Sequence, residues 1–108
     1  MTTRIARDLG SVNPRANGDQ RLYRLSPPLE RGGHEYVVAS AVIPWLGGGP
    51  ETMIFPSTET GHVDDYEDLA VVYELNHEAA VHELGYEVIV DDEVIEGESF
   101  EARREIEA

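Results

Sequence analysis

Residues 35–56 decide the fold of this chain, and they read EYVVASAVIPWLGGGPETMIFP. Residues 36–43 are β-branched or small almost throughout, and residues 52–55 form a second short run with high β propensity. Pro44 and Pro56 end the two runs, because proline cannot donate a hydrogen bond within a sheet. The glycines at 47–49 allow a flexible connection between them. The pattern predicts two strands at the centre of a small sheet, the first covered on both faces.

The flanking sequence predicts further strands and one helix. Asn76 is a good N-cap and Gly85 suits a left-handed C-terminal residue, which together predict a helix over residues 77–84. This helix is too short to persist alone and must pack on the sheet. Apolar and β-branched residues recur in three more segments, which we interpret as strands: 21–25, 69–75 and 86–90. The spacing of the apolar residues in 69–75 also suits a helix.

We therefore expect an α+β fold: a small antiparallel or mixed sheet of four to five strands with one packed helix at about 77–84. Residues 1–20 lack the periodicity of a helix or strand and predict a flexible N-terminal arm. Residues 21–91 form the single α+β domain in this interpretation. Residues 92–108 are acidic and predict a C-terminal tail or short helix.

The composition excludes several classes of protein. A chain of 108 residues predicts one domain. It contains no cysteine, so disulfides, thiolate nucleophiles and cysteine-ligated zinc are excluded. No apolar run approaches the roughly 20 residues that span a bilayer, and the N-terminus does not resemble a secretory signal. We expect no membrane association, and a cytoplasmic or virion location.

The charge is unevenly distributed along the chain. The net charge is −14, yet residues 1–31 carry six arginines and only three acidic residues. The remaining residues are strongly acidic and would repel phosphate backbones, so direct nucleic-acid binding is disfavoured. The simplest interpretation of the acidity is a solvated surface. The basic N-terminal portion could contact an acidic partner, including the acidic part of the same chain.

No stretch has a catalytic, metal or cofactor signature. His77 and His82 resemble the zinc-protease helix, but they are five positions apart and not four, which turns the second histidine by about 140°, away from a shared metal. Ser40 is not in a nucleophile elbow, and the glycines at 47–49 lack the lysine of a phosphate loop. Adjacent acids such as Asp64 and Asp65 lack the EF-hand spacing. We expect no catalytic residue, no metal and no cofactor.

Four residues are candidates for binding a partner: Trp45, Asp64, Asp65 and Tyr66. Tryptophan and tyrosine are enriched at the energetic centres of interfaces, and Trp45 lies beside the flexible glycine loop. The alternative for Trp45 is a lid over the sheet edge, and the alternative for the two aspartates is a solvated loop.

Five segments of the chain together match a known sequence pattern. The most specific is PETMIFP at residues 50–56, and the others are LSPPL (25–29), EYVVASAV (35–42), GHVDDYEDL (61–69) and HEAAVHELGYEV (77–88). Through these segments the chain resembles, over about residues 22–88, a family of small uncharacterised proteins from phages of actinobacteria. Tyr66 stands where the family pattern has tryptophan. The resemblance implies a phage accessory or structural protein and assigns no residue a role.

Three functions follow as hypotheses. The first is a non-enzymatic phage accessory protein that binds a host or phage protein, for example as an acidic inhibitor or nucleic-acid mimic. The second is a virion component, such as a decoration or tail-associated subunit, in which the chain could also associate with itself. The third is a small enzyme of unknown class, because a fold alone does not define a function.

Overall fold

The computed structural model describes residues 3–14, 18–43, 48–63 and 65–90. Six strands and one helix follow one another in this order: β1 (Ile5–Val12), β2 (Asp19–Ser26), β3 (Tyr36–Val42), β4 (Glu51–Pro56), β5 (Ala70–Val72), α1 (His77–Leu84) and β6 (Glu87–Val90).

The six strands form one mixed sheet that curls into a half-barrel. Its order is β5-β4-β3-β2-β1-β6, so the first five strands form an antiparallel meander. The last strand, β6, pairs parallel to β1 at the opposite edge from β5. The helix α1 connects these two edges and contacts β3, β4, β5 and β6 on its way. It therefore covers one face of the sheet.

The larger core lies between α1 and the sheet. Alternate residues of the central strands point toward the helix, because successive side chains of a strand face opposite sides. Each large apolar side chain buried there stabilises the fold by about 1.5–3 kcal/mol. The buried members of this core are Ala6, Tyr23, Leu25, Val37, Ala39, Ile54, Ala80, Val81 and Tyr86.

A second, smaller core lies on the opposite face of the sheet. It is covered in part by the connection between β4 and β5, which contributes the buried Val63. Its sheet residues are Leu22, Val38 and Phe55. Residues 37–41 of β3 are all buried, so the predicted strand with both faces covered is confirmed.

The predicted helix is confirmed with the same bounds. The Asn76 side chain accepts a hydrogen bond from the backbone N–H of Ala79, and Gly85 adopts a left-handed conformation at φ 101°. Ala80 and Val81 are the buried residues of the helix. Its stability comes from packing these residues on the sheet, because eight residues are too few for an isolated helix.

Two expectations need correction. The sheet has six strands and not four to five, and residues 5–12 are not an arm but the strand β1, which lies between β2 and β6. A bulge between Asp8 and Gly10 shifts the register of β1 and breaks its alternation in the sequence. The segment 69–75, whose spacing also suited a helix, contains the strand β5. The expected C-terminal tail or helix at 92–108 lies outside the described residues.

Candidate functional site

Four consecutive residues after Asp64 form an exposed acidic surface around one tyrosine. They are Asp65, Tyr66, Glu67 and Asp68, and we call them the acidic tyrosine loop. They belong to the connection from β4 to β5, on the face of the sheet opposite α1. The surface is the strongest candidate for partner binding among the described residues.

Backbone hydrogen bonds fix this connection at both ends. Ser57 N–H donates to the carbonyl of Tyr36 at 3.0 Å, and Leu69 N–H donates to the carbonyl of Ile54 at 2.8 Å. In the middle, the Asn13 side-chain amide donates to the carbonyl of Gly61 at 2.9 Å. The connection is therefore tied to β3, to β4 and to the residue that follows β1, which restricts its conformational freedom before any partner binds.

The ring of Tyr66 rests against the second core while most of its surface stays exposed. Its centroid lies 5.2 Å from that of Phe55 at an interplanar angle of 69°, an edge-to-face contact. Tyr66 is nevertheless 66% exposed, whereas Phe55 is buried. The ring is thus positioned by the core and presented to solvent.

Three exposed acidic residues are close neighbours of Tyr66 in the sequence: Asp65, Glu67 and Asp68. Asp65 Oδ1 accepts a hydrogen bond from Glu67 N–H at 3.1 Å, which stabilises the turn. Glu67 is 4.0 Å from the guanidinium of Arg31, a distance at the limit of an ion pair between two exposed side chains. Such an exposed pair contributes little, so the loop remains an acidic surface.

The structure places only two of the four predicted partner-binding residues. Asp65 and Tyr66 are exposed neighbours in the acidic tyrosine loop. Trp45 and Asp64 lie outside the described residues. Other large apolar side chains are also exposed, among them Tyr73 at 81% and Leu75 in the link between β5 and α1.

A cleft at the N-terminus of α1 was not anticipated from the sequence. We call it the α1 cleft; it has a volume of about 520 Å³ and lies between the start of the helix and strands β1, β2 and β6. Asp8, Arg21 and Tyr23 form its polar floor, and Val88 and Val90 are among its apolar walls. Little in the sequence indicates this cleft, because Asp8 belongs to the segment interpreted as an arm.

The polar groups of the α1 cleft satisfy one another. Arg21 donates to both carboxylate oxygens of Asp8, and this contact raises the pKa of Arg21. Burial, with the Asp8 carboxylate as a further cause, raises the pKa of Tyr23 to about 12. The Tyr23 hydroxyl is therefore protonated at neutral pH. This arrangement fits a structural role for the ion pair of Asp8 and Arg21.

The two helix histidines occupy different surroundings. His77 lines the α1 cleft, where its Nε2 lies 2.7 Å from the backbone carbonyl oxygen of Asp19. His82 is exposed and lines a separate recess beside Arg4 and Tyr86. His77 is partly buried, because the start of α1 lies close to Asp19 of β2. Within the described ranges, no group of three or more His, Asp or Glu side chains could hold a metal ion.

Comparisons with known proteins add no further constraint: no family model, curated protein or solved structure matches this chain. Fold and surface define a small mixed-sheet α+β protein that presents an acidic loop around an exposed tyrosine. No helix in the described part of the chain is long and apolar enough to cross a membrane.

Proposed function

We propose that this protein is a non-enzymatic phage accessory protein that binds another protein through the acidic tyrosine loop. The observation that carries the proposal is the position of Tyr66, two-thirds exposed yet held edge-on against the buried ring of Phe55. The phage setting is supported by the sequence resemblance over residues 22–88. Host cytoplasm and virion both fit this setting.

A positioned aromatic ring favours affinity for a physical reason. Binding costs conformational entropy when side chains and loops become ordered, and that cost falls when they are ordered beforehand. The Tyr66 ring and the hydrogen-bonded loop ends meet this condition. Tyrosine is also among the residues that dominate interface energetics when a partner buries them.

The charge of the loop defines the chemistry of the partner. Asp65, Glu67 and Asp68 are all exposed beside Tyr66 and would attract a basic protein surface. A basic surface of this kind is what a nucleic-acid-binding protein presents to phosphate groups. We therefore propose a host or phage protein with a basic site as the partner, and the acidic loop as a mimic of its nucleic-acid ligand.

The proposal is tested by affinity capture from an actinobacterial host lysate, followed by calorimetry with the purified captured protein. We expect capture at low salt, release at high salt, and competition between this protein and nucleic acid for the captured partner. Tyr66→Ala should weaken binding at least about tenfold, as expected for an interface hot spot. The amide triple variant Asp65→Asn/Glu67→Gln/Asp68→Asn should reduce the salt dependence.

Tyr73→Ala is the matched control, because Tyr73 is an even more exposed tyrosine outside the loop. Its substitution should leave the affinity unchanged. If the captured protein binds the Tyr66→Ala and wild-type chains equally well, the acidic tyrosine loop is not the binding surface.

A role as a virion subunit is the second candidate, and the sheet edges favour it. In the described part of the chain, β5 and β6 each have only one neighbouring strand. Edge strands of this kind can pair with another chain, which would allow assembly with other subunits or self-association. Mass spectrometry of purified phage particles decides this role, since a virion subunit must be present in them.

A further inference from the structure

A small pocket lies beside the acidic tyrosine loop and shares one residue with it. We call it the histidine pocket; its volume is about 210 Å³. It is formed by the connection from β2 to β3, by the end of β4 and by the connection from β4 to β5. Asp65 belongs both to this pocket and to the acidic tyrosine loop, so the two surfaces are continuous. The described lining residues are His34, Pro56, Ser57, Thr58, His62 and Asp65.

Backbone hydrogen bonds hold the walls of the histidine pocket in place. The carbonyl of His34 accepts a hydrogen bond from Leu29 N–H at 2.9 Å. Thr58 N–H donates to the carbonyl of His62 at 3.0 Å, and His62 N–H donates to Thr58 Oγ1 at 3.1 Å. Pro56 is buried at the end of β4. The pocket is therefore formed before a ligand binds, which lowers the entropy cost of binding.

Asp65 supplies the negative charge of the pocket. Among the lining residues that the structure describes, it is the only acidic one, and none of them is Arg or Lys. Its Oδ1 accepts a hydrogen bond from Glu67 N–H at 3.1 Å. Its Oδ2 accepts none from the described part of the chain. One carboxylate oxygen can therefore bind a donor of a ligand while the other holds the turn.

This lining favours an arginine side chain as the ligand. A guanidinium group donates directed hydrogen bonds to a carboxylate, and its planar face stacks on flat rings, whereas the ammonium group of lysine offers only a point charge. Asp65 provides the carboxylate, and His34 and His62 provide two rings. The volume lies below the roughly 300–1,000 Å³ of pockets for whole small-molecule ligands, so the pocket suits a single side chain.

We propose that the histidine pocket binds an arginine side chain of the protein partner, with Asp65 accepting hydrogen bonds from its guanidinium. This inference rests on the function proposed for the acidic tyrosine loop and names the side chain that the partner contributes. Glu67 and Asp68 add negative charge in the same loop and favour the approach of a basic surface. The chain itself shows that a guanidinium reaches this surface, since Arg31 Nη2 lies 4.0 Å from Glu67 Oε2.

The test is an NMR titration of the full chain with two peptides of equal length and charge, hexa-arginine and hexalysine, at about 0.15 M salt. Both peptides are attracted by the acidic surface, so the difference between them reports on the pocket. We expect hexa-arginine to bind more tightly than hexalysine, on the order of threefold. Hexa-arginine should also shift the imidazole signals of His34 and His62 more than hexalysine does.

Two aspartate variants separate the pocket from the general charge of the loop. Asp65→Asn keeps an oxygen that can accept from Glu67 N–H, so the turn is retained. It should abolish the preference for hexa-arginine. Asp68→Asn is the matched control, because it changes the net charge equally at an exposed aspartate outside the described lining. This control should keep the preference.

A pair of histidine variants tests the rings. His34→Ala removes one of the two rings of the pocket and should reduce the preference for hexa-arginine. His82→Ala removes an exposed histidine of α1, which lines a different recess, and should leave the preference unchanged.

Equal affinities for the two peptides would overturn the proposal, and so would equal effects of Asp65→Asn and Asp68→Asn. In both cases the acidic tyrosine loop would still bind a basic surface, so the function proposed for it would stand. Failure of that function has a different signature: the captured partner would bind the Tyr66→Ala and wild-type chains equally well. If neither peptide shifts any signal of the loop or pocket, the arginine assignment and the basic character of the partner are both wrong.

Discussion

Arg21 of β2 contacts both carboxylate oxygens of Asp8 of β1, with Nε 3.2 Å from Oδ2 and Nη2 3.1 Å from Oδ1. The two residues are not register partners, since Asp8 pairs with Tyr23 and Arg21 with Ser11. The ion pair therefore runs diagonally across the strands. Asp8 Oδ1 also accepts a hydrogen bond from Gly10 N–H at 2.9 Å, so one carboxylate holds the bulge of β1 and its contact with β2.

Removing the charge of Asp8 should destabilise the fold. The Asp8 side chain is only 11% exposed. Without its negative charge, the half-buried Arg21 has lost its ion-pair partner. We expect Asp8→Asn to lower the free energy of unfolding by about 1–3 kcal/mol. Urea unfolding followed by circular dichroism measures this. Asp68→Asn, an exposed aspartate, should stay within about 0.5 kcal/mol of the wild type.

Tyr23 should make the protein lose stability at high pH. Its pKa is raised from 10 to about 12 in the folded state, mainly by burial. Between these values the unfolded chain releases the phenol proton while the folded chain keeps it. The stabilising effect is thus fully present below about pH 10 and is lost as the pH rises toward 12. The free energy of unfolding of the wild type and of Tyr23→Phe, measured between pH 10 and 12, tests this prediction. The variant should lose less stability with rising pH than the wild type. Equal losses would show that Tyr23 is not the group responsible.

The hydroxyl of Thr52 connects β4 to the start of α1. Thr52 is fully buried; its Oγ1 donates to the carbonyl of Glu74 at 2.6 Å and accepts from Asn76 N–H at 3.0 Å. Thr52→Val keeps the shape but leaves both backbone groups without this partner, at a cost of about 1–3 kcal/mol. Thr52→Ser keeps the hydroxyl and loses one methyl group, worth about 1 kcal/mol. Chemical denaturation should show that the Thr52→Val protein is less stable than the Thr52→Ser protein. The reverse order would show that packing outweighs the hydrogen bonds.

Alanine variants at Gly18 and Gly85 distinguish the cost of backbone strain from the cost of a steric clash. Both have positive φ, 94° and 101°, so alanine at either position should cost about 1–2 kcal/mol. A Cβ on Gly85 would have no neighbour within 4 Å, whereas one on Gly18 would lie 2.8 Å from the carbonyl oxygen of Ala41. We expect Gly18→Ala to lower the melting temperature more than Gly85→Ala. Similar melting temperatures would mean that the backbone next to Gly18 relaxes around the added methyl group.

The elements that could be predicted from the sequence are those whose local signals agree with one another. The helix at 77–84 has a capping residue at each end, and the strand β3 has a continuous apolar run bounded by proline. β1 could not be predicted, because Arg7 and Asp8 dilute its apolar content and the bulge interrupts its alternation. This strand is stabilised by pairing with β2 and β6, which are distant in the sequence from one another.

For the candidate sites, the sequence by itself determined the types of residue: the acidic chain, the missing cysteines, the tyrosine among aspartates and the arginines near the N-terminus. Only the tertiary structure decided which of these residues meet. The edge-to-face contact of Tyr66 with Phe55, the Asp8–Arg21 pair and the pocket shared by His34 and Asp65 all depend on strand register and loop path. Register is a long-range property, because it is fixed by cores buried on both faces of the sheet and not by any short segment.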